Sequence, residues 1–266
     1  TTPQGTSNIA LFTQSTCADT TCSFLTDTSP ERATIANPGA APITRVVGIR
    51  SSTATAATYN VSFTYGAIPY SSIAAACIDI SASPANTYTG ASTDDATTAI
   101  TALPIPFTFF AVPATHWSMN SNGLLQLWPS AAGTQSTAFS NAIIPTAGTP
   151  NGFIAPFWDD MSIAGLSGGG TGSTRTATTG GGTSSVQVFE WNVSHFAADN
   201  LRFQVHLYET TNVVEIHYCS TGTGTGTDTG SSATIGAENA GGGAGVPISF
   251  NSGGAAVTGT GYRFTP

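Results

Sequence analysis

Leu201-Arg202-Phe203-Gln204-Val205-His206-Leu207-Tyr208, then Glu209-Thr210-Thr211-Asn212, then Val213-Val214-Glu215-Ile216-His217-Tyr218-Cys219-Ser220 is the stretch that decides the fold. Both runs alternate apolar and polar residues with period two, the signature of strands. A turn centred on Thr210-Thr211 places residues whose numbers sum to 421 opposite each other. Phe203, Val205 and Leu207 then share a core face with Val214, Ile216 and Tyr218. Arg202, Gln204, His206 and Tyr208 point the other way, beside Val213, Glu215, His217 and Cys219, with His206 across from Glu215. The alternation predicts an antiparallel sheet buried on one face, its outer face polar and solvated.

Strand signals recur on both sides of this hairpin. Ile43 to Ser51, Tyr59 to Tyr65, Ser72 to Ser81 and Ser185 to Val193 read as strands, and Asn122-Gly123 marks a tight turn after Trp117 to Met119. No long segment keeps a helical apolar period, because Gly, Pro and Thr interrupt each candidate. The expectation is an all-β, antiparallel β-sandwich with possibly two packed β regions. The polar stretch Pro84 to Ala99 is a boundary or long crossover between a β region at 1–95 and a sandwich domain at 96–266. Glycine- and threonine-rich segments from Gly168 to Thr183 and from Thr221 to Gly230 are expected to be surface loops.

Composition narrows function. Only 8% of the 266 residues are charged, none is lysine, and the net charge is −8. Six scattered arginines cannot neutralise a phosphate backbone, so nucleic acid is excluded as a partner. Schiff-base chemistry has no lysine to use. The most apolar stretch, Ala102 to Ala114, is too short and Pro-rich to span a membrane. The four cysteines fit an oxidising compartment, paired as Cys17–Cys22 and Cys77–Cys219, and the chain reads as a mature, extracellular or cell-surface protein after signal-peptide removal.

Leu103-Pro104-Ile105-Pro106-Phe107-Thr108-Phe109-Phe110, Ser121-Asn122-Gly123, Phe153-Ile154-Ala155-Pro156-Phe157-Trp158-Asp159-Asp160-Met161, Phe203-Gln204-Val205-His206-Leu207-Tyr208-Glu209, Ala233-Thr234-Ile235-Gly236-Ala237-Glu238-Asn239 and Tyr262-Arg263-Phe264 stand in an order and spacing that resemble a bacterial, secreted version of the nidogen-like extracellular module, from about residue 100 to the end. The resemblance implies an extracellular β structure of matrix, adhesion or surface proteins without shared catalytic residues.

Catalytic motifs are thin. Gly165-Leu166-Ser167-Gly168-Gly169 fits a nucleophile elbow in letters, but a glycine-rich loop follows where a helix is needed. Asp159 and Asp160 end a strand, where structural hydrogen bonding is the default and Ca2+ the alternative ligand; no other cofactor is expected. His206, Glu215 and His217 could meet as an adventitious zinc site, with a solvated polar face as the default. Trp117, Trp128, Trp158 and Trp191 are assigned to the core ahead of a sugar platform, and the sequons at Asn60 and Asn192 to chance. The reading is therefore a non-enzymatic subunit of a filament, sheath or surface layer whose partners are copies of itself. A monomeric module for cell-surface glycan or protein is the alternative. The segment Asn8, Ile9, Ala10, Leu11 and Phe12 is the candidate edge or donated assembly strand.

Overall fold

The computed structural model describes residues 69–89, 93–196 and 198–266 together with three strands, β1 (Ile9–Gln14), β2 (Ser23–Thr26) and β3 (Val46–Ser51). The chain divides into two compact units, 1–68 and 69–266. In the first unit the strands form an antiparallel sheet of order β2-β1-β3.

The second unit is a sandwich of two antiparallel six-stranded sheets. The first holds, in spatial order, β16 (Gly245–Phe250), β15 (Thr234–Glu238), β10 (Phe153–Trp158), β9 (Leu125–Trp128), β8 (His116–Met119) and β5 (Thr101–Ala102). The other runs β11 (Ser173–Thr179), β12 (Val186–Val193), β13 (Leu201–Tyr208), β14 (Val214–Thr221), β17 (Thr260–Phe264) and β4 (Tyr70–Ala74). A two-stranded ribbon, β6 (Thr108–Phe109) with β7 (Val112–Pro113), precedes β8.

Between the sheets Phe157 stacks on Phe203 at 5.8 Å and Trp117 meets Phe189 edge-on at 5.0 Å. Two hydrogen bonds cross this core, from Trp191 Nε1 to the Asn120 carbonyl and from the Tyr218 hydroxyl to the Pro156 carbonyl, each 2.8 Å. The polar tips of these two buried rings thereby keep partners, whereas the buried Trp117 Nε1 has none among the described residues. The turn from β8 to β9 carries Gly123 at φ +79°, where an added Cβ would lie 1.8 Å from the Phe157 carbonyl oxygen. Only glycine fits such an approach.

The β13–β14 register follows the sum of 421 from Leu207↔Val214 to Phe203↔Tyr218, and then slips at a bulge to Arg202↔Ser220. The outer face, however, is not solvated. Gln204, His206 and His217 are at most 1% exposed, because residues 75–80 lie across that face as a strap. Only the first part of the expected strand Ser72 to Ser81 pairs in the sheet, as β4; the rest is the strap. The first sheet is covered too. Phe153, Ala155 and Trp158 pack with Leu124 and Ile144 beneath Ala138 and Ala142, and Trp158 Nε1 donates to the Ala138 carbonyl.

Two further expectations change. The boundary lies at 68/69, not 95/96, because β4 adds to β17 and Cys77 is bonded to Cys219, which anchors residues 69–95 in the sandwich. The expected crossover is seen at its two ends, which bridge the β11 edge at Ala85↔Arg175 and the first sheet at Thr97↔Asn120. The Gly168–Thr183 segment is not all loop: its threonine-rich part, Ser173–Thr179, pairs residue for residue with β12, since β-branched threonine favours the extended chain.

Candidate functional site

Three clusters gather the polar chemistry of the sandwich unit. The first lies under the strap. Ile78 N–H donates to Gln204 Oε1 at 2.9 Å, and Gln204 Nε2 donates to the Ile78 carbonyl at 2.7 Å and to Glu190 Oε2 at 2.6 Å. His206 Nε2 donates to Gln204 Oε1. Cys77–Cys219 fastens the strap covalently. Burial, with the neighbouring His217, pushes His206 down to about 3, so it is neutral.

His206, Glu215 and His217 do converge, with the two imidazole rings 4.1 Å apart. Their hydrogen bonds decide what the cluster is. The Ala76 N–H donates to His217 Nδ1 at 3.0 Å, which places the imidazole proton on Nε2, 3.1 Å from Glu215 Oε2. A metal at Nε2 needs that lone pair free and a proton on Nδ1, the opposite tautomer. Glu215 is further occupied by the Tyr208 hydroxyl at 2.6 Å and Arg263 Nη1 at 3.0 Å. The cluster is a closed structural layer that holds the strap.

A second cluster sits at one end of the sandwich and separates Asp159 from Asp160. Asp159 turns to His195 Nε2 at 3.1 Å and the Ser232 hydroxyl at 2.5 Å, while His195 Nδ1 reaches Asp199 Oδ2 at 2.5 Å. Burial works against the imidazolium, but the hydrogen bonds and charges of Asp159 and Asp199 outweigh it and hold His195 at about 9. A cation locked between two carboxylates is no general base; it ties the loop after β12 to the end of β10.

Asp160 instead joins Asp94 and Asp95. Burial and then its acidic neighbours raise Asp160, and burial and Asp95 raise Asp94. Of the expected Ca2+ pair, only Asp160 stands among carboxylates that could share a divalent cation, with two residues from the crossover that no sequence spacing linked to it. Ser167 is exposed in a turn closed by Gly169 N–H to the Leu166 carbonyl, with neither strand before nor helix after it.

A further feature is the set of sheet edges. On β16, Pro247 removes a donor and the pairing shifts between Ile235 and Gly236. The β11 edge is partly covered, with the Asn86 N–H on the Thr174 carbonyl at 2.8 Å. β5 has two residues. β4 has neither proline, charge nor bulge and pairs regularly with β17 over five positions. The Ala75 N–H turns inward to the Gly259 carbonyl; alternation then leaves the N–H and C=O of Ser72 and Ala74 facing outward, unpaired among the described residues.

β1 is not such an edge. It is the central strand of its sheet, with Ile9 to Gln14 paired to β3 and Leu11 to Thr13 paired to β2. The assembly-strand expectation for Leu11 and Phe12 is corrected accordingly, because both of their backbone rows are spent, while Ile9 and Ala10 pair with β3 alone; Asn8, like Cys17, Cys22, Asn60 and the expected strand Tyr59 to Tyr65, lies outside the described residues. Trp117, Trp158 and Trp191 are core, at most 5% exposed. His116 hydrogen-bonds the Thr115 hydroxyl.

Residues 74–266 match a family model described as NIDO related. The match begins at the end of β4 and takes in the strap, earlier than the resemblance near residue 100. No curated protein and no solved structure matches the chain.

Proposed function

The chain belongs to the NIDO related family, and we propose that it serves as an extracellular, non-enzymatic structural subunit that assembles with copies of itself. The observation that carries this reading is the β4 edge, undefended among the described residues. Natural sheets blunt their edges with proline, bulges, charges or cover, and the other three edges of this sandwich carry such devices or are too short to extend. An edge left regular and uncharged suits an added strand, which binds through backbone groups regardless of side chains. A surface with 8% charged residues adds little repulsion between copies. The Cys77–Cys219 bond beside this edge fits work outside the cell.

The test is Ser72→Pro, which removes one outward donor and keeps the inward ladder of Ser71 and Ile73, with Ser72→Ala as control. Negative-stain microscopy and light scattering should show ordered polymers for the wild type and Ser72→Ala, and monomers of unchanged melting temperature for Ser72→Pro. Dispersed wild-type particles, or polymers indifferent to the proline, would refute the proposal.

A further inference from the structure

The strap covers only part of the second sheet's outer face. Beside it lies a trough of about 510 Å³, open to solvent and walled by Asp79 of the strap. Its floor is a grid set by strand register: Ser173, Asn192 and Arg202 form one row across β11, β12 and β13, and Arg175 and Glu190 form the next. Side chains in such rows stand about 5 Å apart on a rigid sheet.

The hydrogen-bonding inventory of this grid is unbalanced. Glu190 Oε2 accepts Arg202 Nε and Nη2, each at 2.9 Å, and Gln204 Nε2 at 2.6 Å, whereas Oε1 accepts nothing among the described residues and is not sealed from solvent. The Asn192 amide and the Ser173 hydroxyl have no partner among the described residues either. Arg175 gives Nη1 to the Ser83 carbonyl and is in no ion pair with a described carboxylate. Glu190 is itself 4% exposed, and its Oε2 is held by Arg202 and Gln204. The grid therefore offers amide, hydroxyl, guanidinium and carboxylate groups at fixed spacing, all preorganised by strands.

The ligand follows from what the trough lacks. Apart from the Cys77–Cys219 bond, no apolar side chain lines it, so nothing holds a peptide side chain or a flat apolar ring. Asp79 and Glu190 offset Arg175 and Arg202, so the trough has no net charge to favour a polyanion or phosphate. Paired hydroxyls suit it, since each can donate to a carboxylate oxygen while accepting from Asn or Arg.

We propose that this trough between the strap and β11 is a binding site for a short neutral saccharide. The site stands on its own geometry and is independent of assembly through β4. The test is an array of immobilised neutral and acidic oligosaccharides probed with the full-length chain, alongside Asn192→Ala, Ser173→Ala and Arg175→Ala. The wild type should retain a subset of the neutral sugars. Asn192→Ala and Arg175→Ala should each weaken retention at least tenfold, and Ser173→Ala severalfold, without changing the melting temperature of the first and last of these three. Retention of no sugar, retention of acidic sugars alone, or retention indifferent to Asn192→Ala overturns the proposal.

Discussion

Gln204→Met keeps the side-chain volume of a residue with no exposed surface and removes the polar clasp between β13 and the strap. Four hydrogen bonds go: the Ile78 N–H to Oε1, and from Nε2 to the Ile78 carbonyl and to Glu190, and His206 Nε2 to Oε1. A neutral bond contributes about 1 kcal/mol net and one to a carboxylate about 2 kcal/mol. Water reaches Ile78, which is only half-buried, more easily than His206 at 1% exposed. The strap, held by Cys77–Cys219, lifts without leaving, so the expected loss is about 4 kcal/mol. Urea unfolding should show a midpoint lower by about 1.5 M, for a slope near 2–3 kcal/mol/M. Hydrogen exchange should show the Ile78 amide losing its protection ahead of the β12–β14 amides. A loss below about 1 kcal/mol, with the Ile78 amide still protected, would refute the assignment of this layer as what holds the strap down.

Two further perturbations bear on the framework. His195 is raised from 6.5 to about 9, so its stabilisation is complete below pH 6.5 and is lost as pH rises through 9. At most about 3 kcal/mol should disappear over that window, and His195→Gln should flatten this alkaline slope in melts run from pH 6 to 10; a slope unchanged by the substitution would disprove the locked imidazolium. Asp159 and Asp199 are held low despite burial, chiefly by their hydrogen bonds to His195, so their part is lost instead as pH falls through the carboxylate range. Cys77→Ser with Cys219→Ser opens a link between residues 142 apart in sequence, a loop-closure effect of about 5 kcal/mol. The double variant should melt about 12 °C lower, and a drop of only 2–3 °C would show that the unfolded chain gains little freedom from the missing bond.

The sheets were legible because their signal is local. Phe203, Val205, Leu207, Val214, Ile216 and Tyr218 alternate cleanly, and β13 spans Leu201–Tyr208 as the period predicts. What stayed hidden was what lies on top. Alternation tells two faces apart but cannot tell water from a covering segment, and Gln204, His206, Glu215 and His217 look like surface residues until residues 75–80 are laid over them. The signal that could have found the strap was Cys77–Cys219: Cys219 belongs to the polar face, so its partner must lie over that face. The trio of Asp94, Asp95 and Asp160 was out of reach, because it is brought together by a crossover whose path has no periodic pattern. Asp159 and Asp160, adjacent in sequence, serve different clusters because neighbouring side chains leave an extended end in opposite directions.

Covering both broad faces has a consequence for recognition. Among the described residues the large apolar side chains more than a third exposed are Val112, Phe139, Phe196, Phe250 and Val257, which come from separate loops and strands. A sandwich whose faces are roofed by a strap and by the segment around Ala138 and Ala142 has spent its apolar area internally. With few charges to steer an encounter, the contacts proposed above are backbone rows at the β4 edge, unpaired among the described residues, and fixed hydrogen-bonding groups in a polar trough. Both are directional and cost little desolvation of charge, and both depend on strands staying in register. Under those proposals the disulfide and the Gln204 clasp matter through geometry: loosening either frees β4 and the trough wall together, since residues 70–80 supply both.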